Sequence, residues 1–202
     1  MDPTFPSGPV RGPEDLVTIR RLAFIALGSN LGERVDHLKA AARGLSCLPE
    51  TRVVACSSMF ETKPMGAAQY PFVNAVLALD TVAAPRPLLD VMLQLERSRG
   101  RVRGEKWGPR TLDLDLLAML EGGQSIELEH PELTLPHPGI AKRDFVLAPL
   151  LEIAPWLSVG PLPLGHYLAS LPAQARTIEA RHAEPLLEGA PFGVSVPLLP
   201  GG

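Results

Sequence analysis

The sequence predicts an α+β domain in which strands and helices follow one another in the order β-α-β-β-α-β. Short apolar runs rich in β-branched residues indicate strands, and apolar residues at helical spacing indicate two helices. Glycine or proline stands at several of the boundaries between these segments. This order is typical of the split βαβ arrangement, in which a mainly antiparallel sheet carries both helices on one face. We therefore predict a ferredoxin-like βαββαβ core with C-terminal additions.

The first half of the core begins with an apolar run over residues 22–27, which predicts the first strand. Asn30 follows as a candidate helix cap, with Glu33 three positions later at the spacing of a capping box. Apolar residues then recur at helical spacing over 35–48 and predict the first helix. The small and β-branched residues of 52–59 predict the second strand.

The second half of the core starts after a turn-rich loop over residues 62–71. Residues 72–79 are almost entirely apolar and predict a buried third strand. Pro85 is expected to begin the second helix, and Gly100 stands beyond its end. Residues 111–117 alternate between polar and apolar side chains, which predicts the fourth strand.

The regions outside the core are less regular. Residues 133–138 predict a fixed loop, and the segment 143–151 predicts a helix. Residues 1–20 and 183–202 are rich in proline, with glycine as well, and we expect them to be flexible tails. Residues 21–182 are then expected to form a single domain.

Composition limits the class of protein. Hydrophobic residues make up 46% and charged residues 20% of the 202 residues, which suits one globular domain with a proper core. The formal net charge of −3 argues against a general nucleic-acid partner, and no apolar run reaches the length of a membrane span. The two cysteines form no C-x-x-C pair, and the start of the chain lacks the pattern of a secretion signal. We expect a cytoplasmic monomer without a membrane or nucleic-acid partner.

The segment 100–115 carries the most informative chemistry. On the predicted strand, Asp113 and Asp115 project from one face with their Cα atoms roughly 6.5 Å apart. Two carboxylates at this spacing suit a hard cation such as Mg²⁺, which completes its shell with phosphate and water. Four cationic side chains, suited to phosphate, stand just upstream: Arg101, Arg103, Lys106 and Arg110. The pattern predicts metal-assisted phosphoryl chemistry on a nucleotide, and the alternative is a surface cluster of ion pairs.

Several segments occur in one order along the chain: Ala-Leu-Gly-Ser-Asn-Leu-Gly at 26–32, the stretch 57–74, Trp-Gly-Pro-Arg-Thr-Leu-Asp-Leu-Asp at 107–115, and Leu-Pro-His-Pro at 135–138 followed by Arg-Asp-Phe at 143–145. Together they resemble the 6-hydroxymethyl-7,8-dihydropterin pyrophosphokinases of folate biosynthesis. The resemblance implies Mg²⁺-dependent transfer of diphosphate from ATP, the co-substrate, to the hydroxymethyl group of a reduced pterin, with release of AMP.

The resemblance also implies roles for individual residues. Asp113 and Asp115 are expected to hold two Mg²⁺ ions, while Arg101 and Arg110 act with them in catalysis by neutralising the transferred phosphate. The residues expected to line the pterin pocket are Thr62, Met65, Phe72, Asn74, Trp107 and Phe145. Those expected at the nucleotide are Glu96, Arg103, Thr134, His137 and Arg143. The loop 100–110 is expected to close over both substrates.

The residues by themselves leave other interpretations open. Asn74 would equally satisfy a neighbouring backbone group. Residues such as Phe72 and Met65 are more often plain core, and a histidine between prolines, such as His137, is commonly a hydrogen-bond donor that stabilises its own loop. Two departures from the family pattern, Leu93 and Glu132, put the affinity for ATP in question, although not the reaction.

Alternative functions also remain at this point. Another D-x-D transferase would leave the stretch 62–74 and Phe145 unexplained. A ferredoxin-like RNA-binding module requires exposed aromatic residues and a basic sheet face, whereas aromatics make up 5% of this chain. A catalytically weak or inactive relative that binds pterin and nucleotide is the alternative closest to the family.

Overall fold

The computed structural model describes residues 18–64, 70–101 and 110–191. Within these ranges the chain forms a seven-stranded sheet with helices on both faces. Three predicted site residues, Met65, Arg103 and Trp107, lie outside the described residues, as do 1–17 and 192–202.

The centre of the sheet is strand β1 (Arg21–Ser29), which pairs antiparallel with β4 (Phe72–Thr81) and with β5 (Asp113–Glu121). Strands β2 (Thr51–Cys56) and β3 (Phe60–Thr62) both pair antiparallel with the other edge of β4. The spatial order β5-β1-β4-β2 is antiparallel throughout, as the split βαβ arrangement requires. The predicted ferredoxin-like core is confirmed.

The two core helices cover one face of this sheet. Helix α1 (Arg34–Ser46) buries Leu38 and Leu45, and helix α2 (Pro85–Ser98) buries Leu88 and Met92. Pro85 stands in the first turn of α2, where its missing N–H group costs no helical hydrogen bond. The prediction that both helices lie on one face is confirmed.

The opposite face is covered by helices from the second half of the chain. Helix α3 (Asp144–Ile153) and helix α4 (Leu164–Ser170) pack there against a second apolar cluster that includes Phe24 and Val76. Almost every residue of β4 is therefore buried, because its two faces each contact a layer of helices.

The other strands are short. The hairpin of β7 and β8 and that of β9 and β10 form separate two-stranded sheets, while β6 and β11 extend the main sheet at its two ends. Their bounds are β6 Gln124–Ser125, β7 Leu128–His130, β8 Leu133–Leu135, β9 Ser158–Val159, β10 Leu162–Pro163 and β11 Ile178–Arg181. Single 3₁₀ turns occur at Ile140–Lys142 and Ala173–Ala175.

The predicted capping box of α1 is wrong. Helix α1 follows Glu33 directly, and no side chain caps its first turn. Asn30 instead bonds to a distant segment: its Oδ1 accepts the N–H of Arg110 (2.6 Å), and its own N–H donates to the carbonyl of Arg110 (3.1 Å). The polar side chain after β1 is used in tertiary structure because the end of the long loop passes beside it.

Three predicted boundaries also change. The second strand is interrupted at 57–59, and the predicted loop over 133–138 contains β8, which pairs with β7. The packed part of the chain continues past 182: Leu186 is 1% exposed, and the carbonyl of Pro191 accepts the N–H of Cys56 (3.0 Å). Residues 183–191 therefore belong with the domain. None of the helices described here has the length and apolar character needed to cross a membrane.

Candidate active site

The predicted acidic residues lie at one end of the three central strands. In the register of the sheet, Gly28 of β1 stands between Asn74 of β4 and Asp113 of β5, and Asp115 stands opposite Ala26. The leucines that alternate with the aspartates point to the α1/α2 face. The aspartates therefore face the side of the sheet that α3 covers, as the period of two predicts.

A cavity of about 360 Å³ opens at this end of the sheet. Its walls come from β1, β3, β4, β5, α3 and the adjoining loops, and they include predicted pterin and catalytic residues. The lining residues are Ala26, Leu27, Gly28, Thr62, Lys63, Phe72, Asn74, Arg110, Asp113, Asp115, His137, Arg143, Phe145 and Val146.

A second cavity of about 210 Å³ adjoins the first. It is lined by Leu89, Leu114, Asp115, Leu116, Pro131, Glu132, Leu133, Thr134, His137 and Pro138. Asp115 and His137 line both cavities, so two ligands bound side by side would meet at these side chains.

Asp113 is paired with both arginines that the sequence analysis predicts to be catalytic. Its Oδ1 lies 2.7 Å from Nη1 of Arg101, and its Oδ2 lies 2.6 Å from Nη1 of Arg110. Each arginine keeps further donors available for another anion. These three residues form a compact ion-pair cluster, and Asp113 and Arg110 line the first cavity.

Glu96 lies on helix α2 and connects the helix to this cluster through Arg101. It is 4% exposed, its Oε1 accepts the N–H of Leu114 (2.8 Å), and the same oxygen pairs with Arg101. Burial raises the pKa of Glu96, while the bond from Leu114 and the charge of Arg101 act in the opposite direction. Because Leu114 lies between the two aspartates, Glu96 fixes the strand that carries them.

Asp115 and His137 interact at the boundary between the cavities. Burial raises the pKa of Asp115, and the Asp113 carboxylate raises it further, against the effect of His137, Arg143 and Arg110. Burial lowers the pKa of His137, against the effect of the Asp115 carboxylate. His137 Nδ1 accepts the N–H of Gly139 (2.9 Å), so its neutral form carries the proton on Nε2. Nη1 of Arg143 lies 3.6 Å from Asp115.

The far wall of the first cavity combines an amide with aromatic rings. Asn74 is 7% exposed, and its Nδ2 donates to Oγ1 of Thr62 (2.9 Å), which fixes the orientation of the amide. Phe145 lies in the first turn of α3, and the guanidinium carbon of Arg143 stands 5.9 Å from the centre of its ring. Phe72 lies at the start of β4. The cavity thus offers flat apolar surfaces and an oriented polar group.

Comparison with known proteins identifies the family. The profile of the 7,8-dihydro-6-hydroxymethylpterin-pyrophosphokinase (HPPK) family matches residues 24–155, which is more than half of the chain. The chain belongs to the HPPK family. The expectation drawn from the motifs is confirmed.

Two curated relatives illustrate the similarity, both named 2-amino-4-hydroxy-6-hydroxymethyldihydropteridine pyrophosphokinase. The protein of Pseudomonas aeruginosa is 48% identical over 149 residues, which cover 73% of this chain and 88% of the relative. The protein of Haemophilus influenzae is 46% identical over 133 residues, which cover 65% of this chain and 81% of the relative.

The fold is also similar to that of solved HPPK-DHPS structures. The Plasmodium falciparum wild-type protein with pterin and p-hydroxybenzoate matches with a TM-score of 0.57 at 15% identity, over 77% of this chain and 44% of that one. An HPPK-DHPS structure in complex with substrates matches with a TM-score of 0.56 at 12% identity, over 75% and 43%. The chain spans less than half of either structure, and the likeness concerns the fold alone.

The donor set of this HPPK-family site fits Mg²⁺. Within the described ranges, no group of three or more His, Cys, Asp and Glu side chains is arranged to hold a metal by itself. Asp113 and Asp115 provide carboxylates on one face of β5, and Mg²⁺ is commonly bound by one or two carboxylates together with substrate phosphates. The site therefore suits a cation that arrives with a nucleotide.

Gly28 and Asn30 are among the residues of the site that were not anticipated from the sequence. Gly28 forms the floor of the first cavity, and a Cβ atom there would lie 3.1 Å from Oδ1 of Asn74. Asn30 is hydrogen-bonded to both the backbone N–H and the carbonyl of Arg110, which is the last residue of the segment 100–110. The available signal was the Gly-Ser-Asn sequence directly after an apolar strand, which also suits an ordinary turn.

Proposed function

We propose that the protein transfers the terminal diphosphate of ATP to the hydroxymethyl group of 6-hydroxymethyl-7,8-dihydropterin, with release of AMP, at the site around Asp113 and Asp115. The observation that carries this proposal is the pair of cavities that meet at Asp115 and His137. Two substrates that exchange a diphosphate need adjoining sites, and the charged groups belong at the junction.

The first cavity suits the pterin. A flat heteroaromatic ring needs aromatic or apolar walls, which Phe72 and Phe145 offer, and an amide that can both donate and accept along its edge. Asn74 has its Nδ2 engaged by Thr62, so its Oδ1 is the group oriented for a ring N–H. The hydroxymethyl oxygen of a ring held here points to the aspartates at the other end of the cavity.

The second cavity suits the nucleotide. Thr134 and His137 contribute polar groups to it, and Leu89, Leu116 and Leu133 contribute an apolar surface. Glu132, a departure from the family pattern, lines this cavity and pairs with Arg86, so its charge is compensated by a neighbour.

The charged cluster suits the transferred group. Asp113 and Asp115 are the residues to hold two Mg²⁺ ions, which when bound neutralise phosphate charge and polarise its oxygens. A cation bound at Asp113 would weaken the pairing of its oxygens with Arg101 and Arg110. Both guanidinium groups then become available for the phosphates, where charge builds up during the transfer. We further propose that the protein acts as a monomer in the cytoplasm.

The test is a product assay with purified protein, Mg²⁺, ATP and 6-hydroxymethyl-7,8-dihydropterin. We expect AMP and the pterin diphosphate to form in equal amounts, and AMP to form only when the pterin is present. Formation of ADP would overturn the diphosphate transfer. Binding of both ligands without any product would instead support the inactive-relative alternative.

A further inference from the structure

We propose that Asp144 is a positioning residue for the pterin pocket and that it acts through Thr177, which lies beyond the residues matched by the family profile. The proposal rests on the placement of the pterin in the first cavity described above. It assigns a role in substrate recognition to the C-terminal part of the chain, which lines neither cavity.

Asp144 is buried between two residues of the cavity wall. It is 4% exposed and begins helix α3, and its neighbours in sequence are Arg143 and Phe145, which both line the cavity. Its carboxylate faces the C-terminal segment. Oδ1 accepts the hydroxyl of Thr177 (2.6 Å), and Oδ2 accepts the N–H groups of Thr177 and of Ile178, the latter at 3.0 Å.

The same C-terminal segment is bonded to the opposite wall. The carbonyl of Thr177 accepts the N–H of Lys63 (2.9 Å), and Ile178 pairs with Thr62 in the register of β11 and β3. Thr62 and Lys63 line the cavity, and Thr62 is the residue that orients the amide of Asn74. Thr177 is thus hydrogen-bonded on one side to α3 and on the other to Lys63, directly after β3.

These bonds define the width of the pocket. Phe145 and Arg143 move with the first turn of α3, whereas Thr62 and Lys63 move with the end of β3. A carboxylate that accepts several hydrogen bonds also suits the first turn of a helix, where the backbone N–H groups favour a negative charge. Loss of the Asp144 bonds would allow the two walls to separate, and a flat ring held between them would lose its orientation.

The chain offers a matched control at the other end of α3. Glu152 lies eight residues after Asp144, roughly 12 Å along the helix axis. It likewise accepts a backbone N–H and a hydroxyl, both from Ser58 (2.7 and 3.1 Å), and it also pairs with Arg181 at the far end of β11 (2.9 Å). Neither Glu152 nor Ser58 lines either cavity.

The experiment measures initial rates and thermal unfolding for the full chain with Mg²⁺, and for four variants. Asp144→Asn and Thr177→Val weaken the proposed connection, while Glu152→Gln and Ser58→Ala weaken the control connection. We expect the first pair to raise the KM for the pterin by about fivefold or more and to change the KM for ATP by less than about twofold. The control pair should lower the melting temperature by a similar amount and leave both KM values unchanged.

Two results would overturn the proposal. One is an unchanged pterin KM in the first pair despite a lower melting temperature, and the other is an equal rise in both pairs. Should Asp144→Asn not fold, Thr177→Val decides the question, since it keeps the size of the side chain and removes a single hydrogen bond.

Asn74→Ala tests the placement of the pterin separately from the role of Asp144. A raised pterin KM in Asn74→Ala together with an unchanged one in Thr177→Val would refute the role of Asp144 alone. An unchanged pterin KM in Asn74→Ala would refute the placement of the pterin, and the role of Asp144 with it.

Discussion

Gly28→Ala should weaken pterin binding although it adds a single methyl group. The new Cβ atom would lie 3.1 Å from Oδ1 of Asn74, and 3.9 Å from Cβ of Asp113 and from Cδ1 of Phe72. A contact of 3.1 Å is tighter than nine in ten contacts of Cβ atoms in proteins, so the amide of Asn74 has to move by a few tenths of an ångström. The hydrogen bond from Asn74 to Thr62 opposes that movement.

The expected rise in the pterin KM follows from the hydrogen bond that the displaced amide of Asn74 would lose. A typical hydrogen bond contributes about 0.5–1.5 kcal/mol. Misplacing the amide should therefore raise the KM for the pterin about twofold to tenfold, since about 1.4 kcal/mol corresponds to a factor of ten. The free energy of unfolding should fall by at most about 2.5 kcal/mol, because a Gly-to-Ala exchange in a strand gains about 0.5–1 kcal/mol and crowding in the core costs about 1–3 kcal/mol.

The assay is an initial-rate measurement of AMP with the pterin and ATP varied in turn. Gly165→Ala is the matched control, because a Cβ atom on Gly165 of α4 meets nothing within 4 Å. It should leave the pterin KM unchanged. In an Asn74→Ala background, Gly28→Ala should have little further effect, since the two changes act through one contact. A pterin KM within about twofold of the unsubstituted protein would refute the reasoning.

Three further predictions concern charge and thiols. Asp115→Ala should keep the fold and lower turnover by about a hundredfold or more, the cost of losing one preorganised electrostatic group; near-normal turnover would contradict its role at the metal. The pKa of Asp115 is raised, so its ionised form destabilises the folded chain above that pKa. Asp115→Asn should therefore raise the melting temperature at pH 7 without Mg²⁺, and the gain should shrink as the pH falls toward 4; a constant difference would contradict this. Burial raises the pKa of Cys56 to about 12 whereas Cys47 is exposed, so a thiol reagent at pH 8 should modify Cys47 alone until the protein is unfolded.

The core of the fold could be predicted because its apolar periods are unambiguous. The alternation in β5 determines which face Asp113 and Asp115 occupy, and the helical spacing in α1 and α2 determines their buried faces. The second layer of helices could not be read in the same way. A strand that is buried on both faces, such as β4, differs in sequence from a strand buried on one face only by the lack of alternation.

The site was only partly predictable, for a different reason. The aspartates and the two arginines proposed to be catalytic lie in the segment 100–115, which can be recognised in the sequence as a motif. Asn30 and Thr177 make hydrogen bonds to segments far away in sequence, and local pattern contains no information about such partners. Asn30 illustrates the difficulty, since its sequence context suits a helix cap and its actual partner, Arg110, lies 80 positions away.

The ion pairs around Asp113 explain how this many charges can be held at one place before any substrate binds. Arg101 and Arg110 each form an ion pair with one oxygen of Asp113, and Glu96 forms an ion pair with Arg101. A lone half-buried carboxylate would be costly, whereas a paired one is stabilised by its neighbours. A nucleotide with its metal brings one cation for the aspartate and several anionic oxygens for the arginines. Binding would therefore exchange partners among groups that are already paired, so the arrangement that stabilises the free site also suits phosphate.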